Sequence, residues 1–167
     1  MSEWFDDTAE ESSEPRVLDD GESVVVSTFN CGLFLVKDLA GNMPTLAHVY
    51  DFGYRTCEVP MVVGRYWVQT MQSGHAVVSI DMHDPEHPRE VSRLLMAPDE
   101  YPHWLGLEPA ADRLAITGYG SLATHLRFAR IDRDTGSLDS ASIDFNRAWP
   151  DGWQGSAIPH GVVFQHP

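Results

Sequence analysis

The feature that most constrains this chain is a set of short runs that recurs as a set. They are β-branched and aromatic runs bounded by Gly, Pro, Asp and Asn. No long stretch carries the i, i+3, i+4 apolar spacing of an amphipathic helix, so strands are expected throughout. One run type is strongly apolar and reads as buried: residues 22–28, 65–70 and 113–118. A second follows each of these a few residues later, at 33–38, 76–81 and 126–132, and closes on Asp38, Asp81 or Asp132. Those aspartates stand 43 and 51 residues apart. A more polar run completes each unit at 45–52, 89–96 and 137–145, and a new inner run opens at Cys57, Pro102 and Pro159.

Four strands in every forty to fifty residues is the spacing of a β-propeller. A lone four-stranded sheet cannot cover both of its faces and gains stability by stacking on its neighbours. A β-sandwich also spaces short strands evenly. It does not, however, require each unit to restart with the same inner run. The expectation is an all-β, partial β-propeller with four-stranded blades at about 14–53, 57–97 and 102–146. An acidic loop and first inner strand within 1–20 precede them, and one closing inner strand at 158–165 follows. Three blades and an orphan strand fall short of common closed rings. A fragment of a larger ring is therefore expected, its partners the missing blades or further copies of itself.

Composition narrows the function classes. Of the 167 residues 43% are hydrophobic and 22% charged, ordinary for a globular chain. Net charge is −14, and residues 1–22 hold nine acids against Arg16 alone. Such a surface repels phosphate backbones and anionic lipid, so neither nucleic acid nor membrane is expected as a partner. No apolar run is long enough to span a bilayer, and no signal-like segment opens the chain. A soluble chain is expected, cytoplasmic if Met1 is the natural start, with the periplasm open to a longer parent. Cys31 and Cys57 form no CxxC or zinc pattern, and the simple expectation is two reduced thiols.

Two segments carry a family resemblance. Asp81-Met-His-Asp-Pro-Glu-His-Pro-Arg89 follows the strand that begins after Gly74. It resembles the Asp-x-Ser-Asp-Pro-x-x-Pro-Arg turn of the selenium-binding protein family, which includes methanethiol oxidases, with His83 where Ser is usual. Residues 110–117 and Ala129-Arg-Ile-Asp-Arg-Asp-Thr-Gly-Ser-Leu138 are similar to that family's penultimate blade, and Pro159-His160 to its C-terminal Ala-His strand. The resemblance implies a propeller of about seven blades. It also implies oxidation of methanethiol to formaldehyde, hydrogen sulfide and peroxide, with copper in bacterial members. The family's reactive cysteine region lies in its N-terminal half and has no counterpart in these residues.

Cys57, His103 and His160 each open an inner run, 46 and 57 residues apart. In a propeller such starts ring one mouth of the central channel. A thiol and two imidazoles brought together there would suit copper or zinc, and copper could serve oxidation of a small thiol. The alternative is that the two histidines cap strands and bond loop carbonyls, and that Cys57 is a small buried apolar residue. His83 and His87 lie on a Pro-rigidified loop, and His75 begins a middle strand; structural roles are expected for all three. Trp149-Pro-Asp-Gly-Trp153 could cover the channel mouth or simply pack. Two other functions stand beside the thiol oxidase. One is a non-catalytic propeller that binds a partner. The other is a propeller lactonase, for which Glu58 and Glu108 are the only acids near inner runs.

Overall fold

The computed structural model describes residues 11–108, 110, 112–123, 125–146 and 160–164. Twelve strands and one short 3-10 turn, Ser121–Ala123, make up the described elements, and none of those is an α-helix. The first sheet is β1 (Ser12–Val17), β2 (Val24–Thr28), β3 (Gly32–Lys37) and β4 (Thr45–Asp51). The second is β5 (Met61–Val63), β6 (Tyr66–Met71), β7 (Ala76–Asp81) and β8 (Arg89–Leu95). The third is β9 (Glu100–Glu108), β10 (Arg113–Gly120), β11 (His125–Ile131) and β12 (Leu138–Asn146). Each is an antiparallel meander with its strands in chain order.

Local chemistry explains the turns. Asp81 Oδ1 accepts the His83 N–H at 2.9 Å, and Asp132 Oδ1 accepts those of Asp134 and Thr135 at 2.9 and 2.8 Å. Each carboxylate takes the place of a backbone acceptor and closes the hairpin toward the outer strand. Asp38 does the same work by its backbone: it adopts φ 54°, and its carbonyl accepts from Gly41. Gly136 turns with φ 72° against the Tyr66 ring, so a side chain there would strike the second sheet.

The core lies between sheets. Alternate residues of β6 face opposite ways, as the pleat requires. Trp67 joins Val25, Leu33, Leu35, Val78 and Ile80 between the first and second sheets. Tyr66 and Val68 join Val77, Leu114, Ile116, Ala129 and Ile131 between the second and third. The middle sheet is thus covered on both faces, and every residue of β6 is buried. Each fully buried Ile or Leu in these layers contributes about 1.5–3 kcal/mol. Polar ties add register: the Tyr66 hydroxyl donates to the Asp134 carbonyl at 2.6 Å, and the Leu138 N–H donates to Ser92 Oγ at 2.9 Å.

Two expectations are corrected. Cys31 and Cys57 are not free thiols; they form a disulfide, Cα to Cα 5.0 Å, buried between the first two sheets. The β2–β3 turn, with Cys31 at φ 70°, and the stretch before β5 meet only once the sheets have stacked. The closing strand is also altered. Residues 160–164 lie against β9 but join no ladder, while 158–159 and 165 lie outside the described residues. The acidic residues 1–10, the Trp149–Trp153 loop and His166 also lie outside them. Among the described residues no helix is long and apolar enough to cross a membrane.

Candidate functional site

The site is assembled from three stretches. Glu58 follows the disulfide cysteine on the way into β5. Its N–H donates to the Thr70 carbonyl at 2.9 Å, and its carbonyl accepts from the Gln69 amide, so its backbone is fixed to β6. His103 lies on β9, and its carbonyl accepts from the Val59 N–H at 3.1 Å and the Thr70 hydroxyl at 3.1 Å. His160 lies on the closing segment, where the Thr117 hydroxyl of β10 donates to its carbonyl at 3.1 Å.

These backbone ties hold three side chains in a row. The Glu58 carboxylate, 8% exposed as a residue, sits 3.0 Å from His103 Nδ1. The Nδ1 is buried and makes no well-aligned hydrogen bond to it. On its other side, His103 Nε2 lies 3.0 Å from His160 Nε2. A carboxylate at Nδ1 favours the proton there, which leaves His103 Nε2 as a lone pair facing the second imidazole. Tyr119 and Trp104 flank the pair, 5.1 Å from the His103 ring and 5.8 Å from the His160 ring.

The ring geometry carries further information. Two imidazoles on one line would have their centroids a full ring radius beyond each nitrogen. The centroids are 4.6 Å apart with planes at 63°, closer than a linear pair allows, so the two ring axes are not collinear. Glu58 behind His103 matches the outer carboxylate that commonly orients a ligating histidine. Among the described residues there is no group of three or more His, Cys, Asp or Glu able to hold a metal. Among the described residues the imidazole donors here number two.

The three residues expected at the channel mouth therefore divide. His103 and His160 meet. Cys57 does not join them as a ligand, because its sulfur is bonded to Cys31 and is no thiolate. Glu58 was visible only as an acid near an inner strand. Its pairing with His103 depends on which sheets touch, and no local pattern signals that. Glu108 is directed elsewhere, onto Arg113. Of the remaining histidines, His75 Nδ1 meets the Glu100 carbonyl at 2.9 Å, and His87 Nδ1 meets Asp84 at 3.0 Å on an exposed turn. His83 is exposed on that turn.

No family model matches the chain, and no curated protein matches it significantly. Solved structures do. The periplasmic gluconolactonase of Pseudomonas aeruginosa aligns over 89% of this chain and 43% of its own, at 13% identity and TM-score 0.62. A candidate 6-phosphogluconolactonase from Bacteroides fragilis aligns over 81% and 39%, at 12% identity and TM-score 0.61. A hypothetical selenium-binding protein from Sulfolobus tokodaii aligns over 74% and 36%, at 10% identity and TM-score 0.51. The chain is a partial β-propeller. Its three sheets are blades, with β1, β5 and β9 innermost. The chain spans about two-fifths of the length of each of these propellers.

Proposed function

We propose that this partial propeller carries one edge of an oxidoreductase site that acts on a small thiol, in the manner of the selenium-binding and methanethiol oxidase family. His103 and His160 would hold a copper ion, and Glu58 would orient His103. The observation that carries this reading is the 3.0 Å approach of two imidazole nitrogens with a buried carboxylate on the far side of one of them. Imidazole suits copper, zinc, iron and nickel alike, and the choice of copper rests on the resemblance of the Asp81–Arg89 turn and the Pro159-His160 stretch. The Sulfolobus neighbour supports the same family. Copper, when bound, supplies one-electron chemistry to a coordinated sulfur. The chain's own part is to fix two nitrogens, set the His103 tautomer and fasten the pair to the backbone. The Cys31–Cys57 disulfide favours an oxidising compartment, such as the periplasm.

A second reading uses the same row of residues without metal. Glu58, His103 and His160 form a proton relay, and two of the neighbours are described as gluconolactonases, whose ester opening calls for a general base. Copper content after dialysis, with the corresponding EPR spectrum, separates the two. On the copper reading, His103→Ala and His160→Ala each abolish stoichiometric copper. Unchanged copper in both variants removes the assignment. Lactone hydrolysis that needs His103 in metal-free protein selects the relay. Absence of both activities returns the chain to the non-catalytic binding module.

A further inference from the structure

Beside the histidine pair lies a cleft of about 300 Å³, between inner strands β5 and β9 and the closing segment. Pro60, Met61, Trp104, Leu107, Val162 and Phe164 are among its walls. It adjoins the pair directly. Trp104 lines the cleft and packs on the His160 ring, and residues 160–164 supply both His160 and two of the walls. The closing segment can approach this closely because position 106 is glycine: a Cβ there would come within 2.7 Å of the Val162 carbonyl oxygen.

The chemistry of the lining limits the occupant. Among the described residues its one ionisable lining residue is Arg16. That guanidinium is already engaged by the Glu14 carboxylate, the Pro60 carbonyl at 3.2 Å and the Pro15 carbonyl at 3.2 Å. Among the described residues no Ser, Thr, Asn, Gln, Lys or His lines the cleft. Among the described residues a phosphorylated or polyhydroxylated sugar would find a polar side-chain partner only in the already engaged Arg16, and each polar group left unpaired would cost about 1–3 kcal/mol. An alkyl or aryl body would meet apolar walls and an indole. The volume is at the lower end of small-molecule sites, room for about ten heavy atoms, and so well beyond what a one-carbon thiol fills.

We propose that this cleft binds the uncharged apolar body of the ligand whose reactive end lies at the His103–His160 pair, an alkyl or aryl compound of about ten heavy atoms. The inference rests on the proposed site for the position of the reactive end. It does not rest on it for the character of the body.

The test is titration calorimetry on the full-length protein with 1-octanol, octanoate and glucose 6-phosphate. Octanol is expected to bind at least tenfold more tightly than octanoate, with no heat from glucose 6-phosphate. Met61→Trp, which fills the cleft from β5, should weaken octanol by tenfold or more. Leu107→Lys should reverse the preference toward octanoate, a gain that unfolding cannot imitate. Glucose 6-phosphate or octanoate binding as well as octanol overturns the proposal, as does octanol binding indifferent to Met61→Trp. The two readings fail separately. Octanol binding by parent protein that takes up no stoichiometric copper sinks the metal centre alone; copper at full stoichiometry without octanol binding sinks the cleft alone.

Discussion

Removing the Cys31–Cys57 bond tests how the first two blades are held together. The variant is Cys31→Ala with Cys57→Ala. Alanine keeps both positions apolar, and at φ 70° it meets the same backbone constraint as the cysteine it replaces. The bond closes a loop with a sequence separation of 26. On the chain-entropy relation such a loop restricts the unfolded state by about 3.5 kcal/mol at 25 °C. With a urea dependence of about 2 kcal/mol per M for a chain this size, the midpoint should fall by about 1.7 M. Both sulfur residues are fully buried, so a thiol reagent should find nothing in the native, unreduced protein. Urea unfolding by tryptophan fluorescence, with the bond in the parent confirmed by mass under non-reducing conditions, gives the measurement. A midpoint shift under about 0.5 M would show that blade packing alone fixes the junction and refute the cross-link argument.

Other perturbations separate the site from its scaffold. Gly106→Val should lift residues 160–164 off β9 and break the His103–His160 contact; histidine ring signals in NMR should then lose their mutual coupling while β-sheet dispersion persists. Glu58→Gln should lower copper affinity by about 10- to 100-fold with both imidazoles intact, read by competition with a copper chelator; unchanged affinity would mean that the carboxylate orients nothing. Hydrogen bonds from Arg93, opposed by burial, hold the Glu90 carboxyl below its usual range. A carboxylate with a depressed folded-state value stabilises above its unfolded value of about 4.3 and loses that contribution as pH falls through the folded one. The stability gap between the parent and Glu90→Gln should therefore close in acid, and a gap constant from pH 6 to pH 2 would contradict the pairing.

What could be read in advance was periodic. The Asp-terminated runs located hairpins because a carboxylate that accepts N–H groups two or three residues on imposes a turn wherever it stands, as Asp81 and Asp132 do. The run 65–70 read as a buried strand, and β6 is buried along its whole length because blades cover it on both sides. The meeting of His103 with His160 was also legible, since residues at equivalent points of successive repeats face one axis. The disulfide was not. Cys31 lies at a turn between strands two and three and Cys57 before an inner strand, so they are not equivalent positions, and only the stacking of blade on blade brings them together. Glu58 escaped for the same reason.

The site is therefore a property of stacking, and that has an energetic consequence. Glu58 enters from the lead-in to the second blade, His103 from the third, and His160 from beyond it. The third blade is joined to the second at the site by two hydrogen bonds onto one atom, the His103 carbonyl. Each contributes about 1 kcal/mol, much less than the apolar layer of Leu114, Ile116 and Ile131 beneath them. Packing thus supplies the holding energy and the hydrogen bonds supply direction. A change that loosens the apolar layer, such as Ile116→Ala, should separate the carboxylate from the imidazole even though it touches neither. A change confined to the Thr70 hydroxyl should leave the blades together and alter only the angle at which His103 is presented.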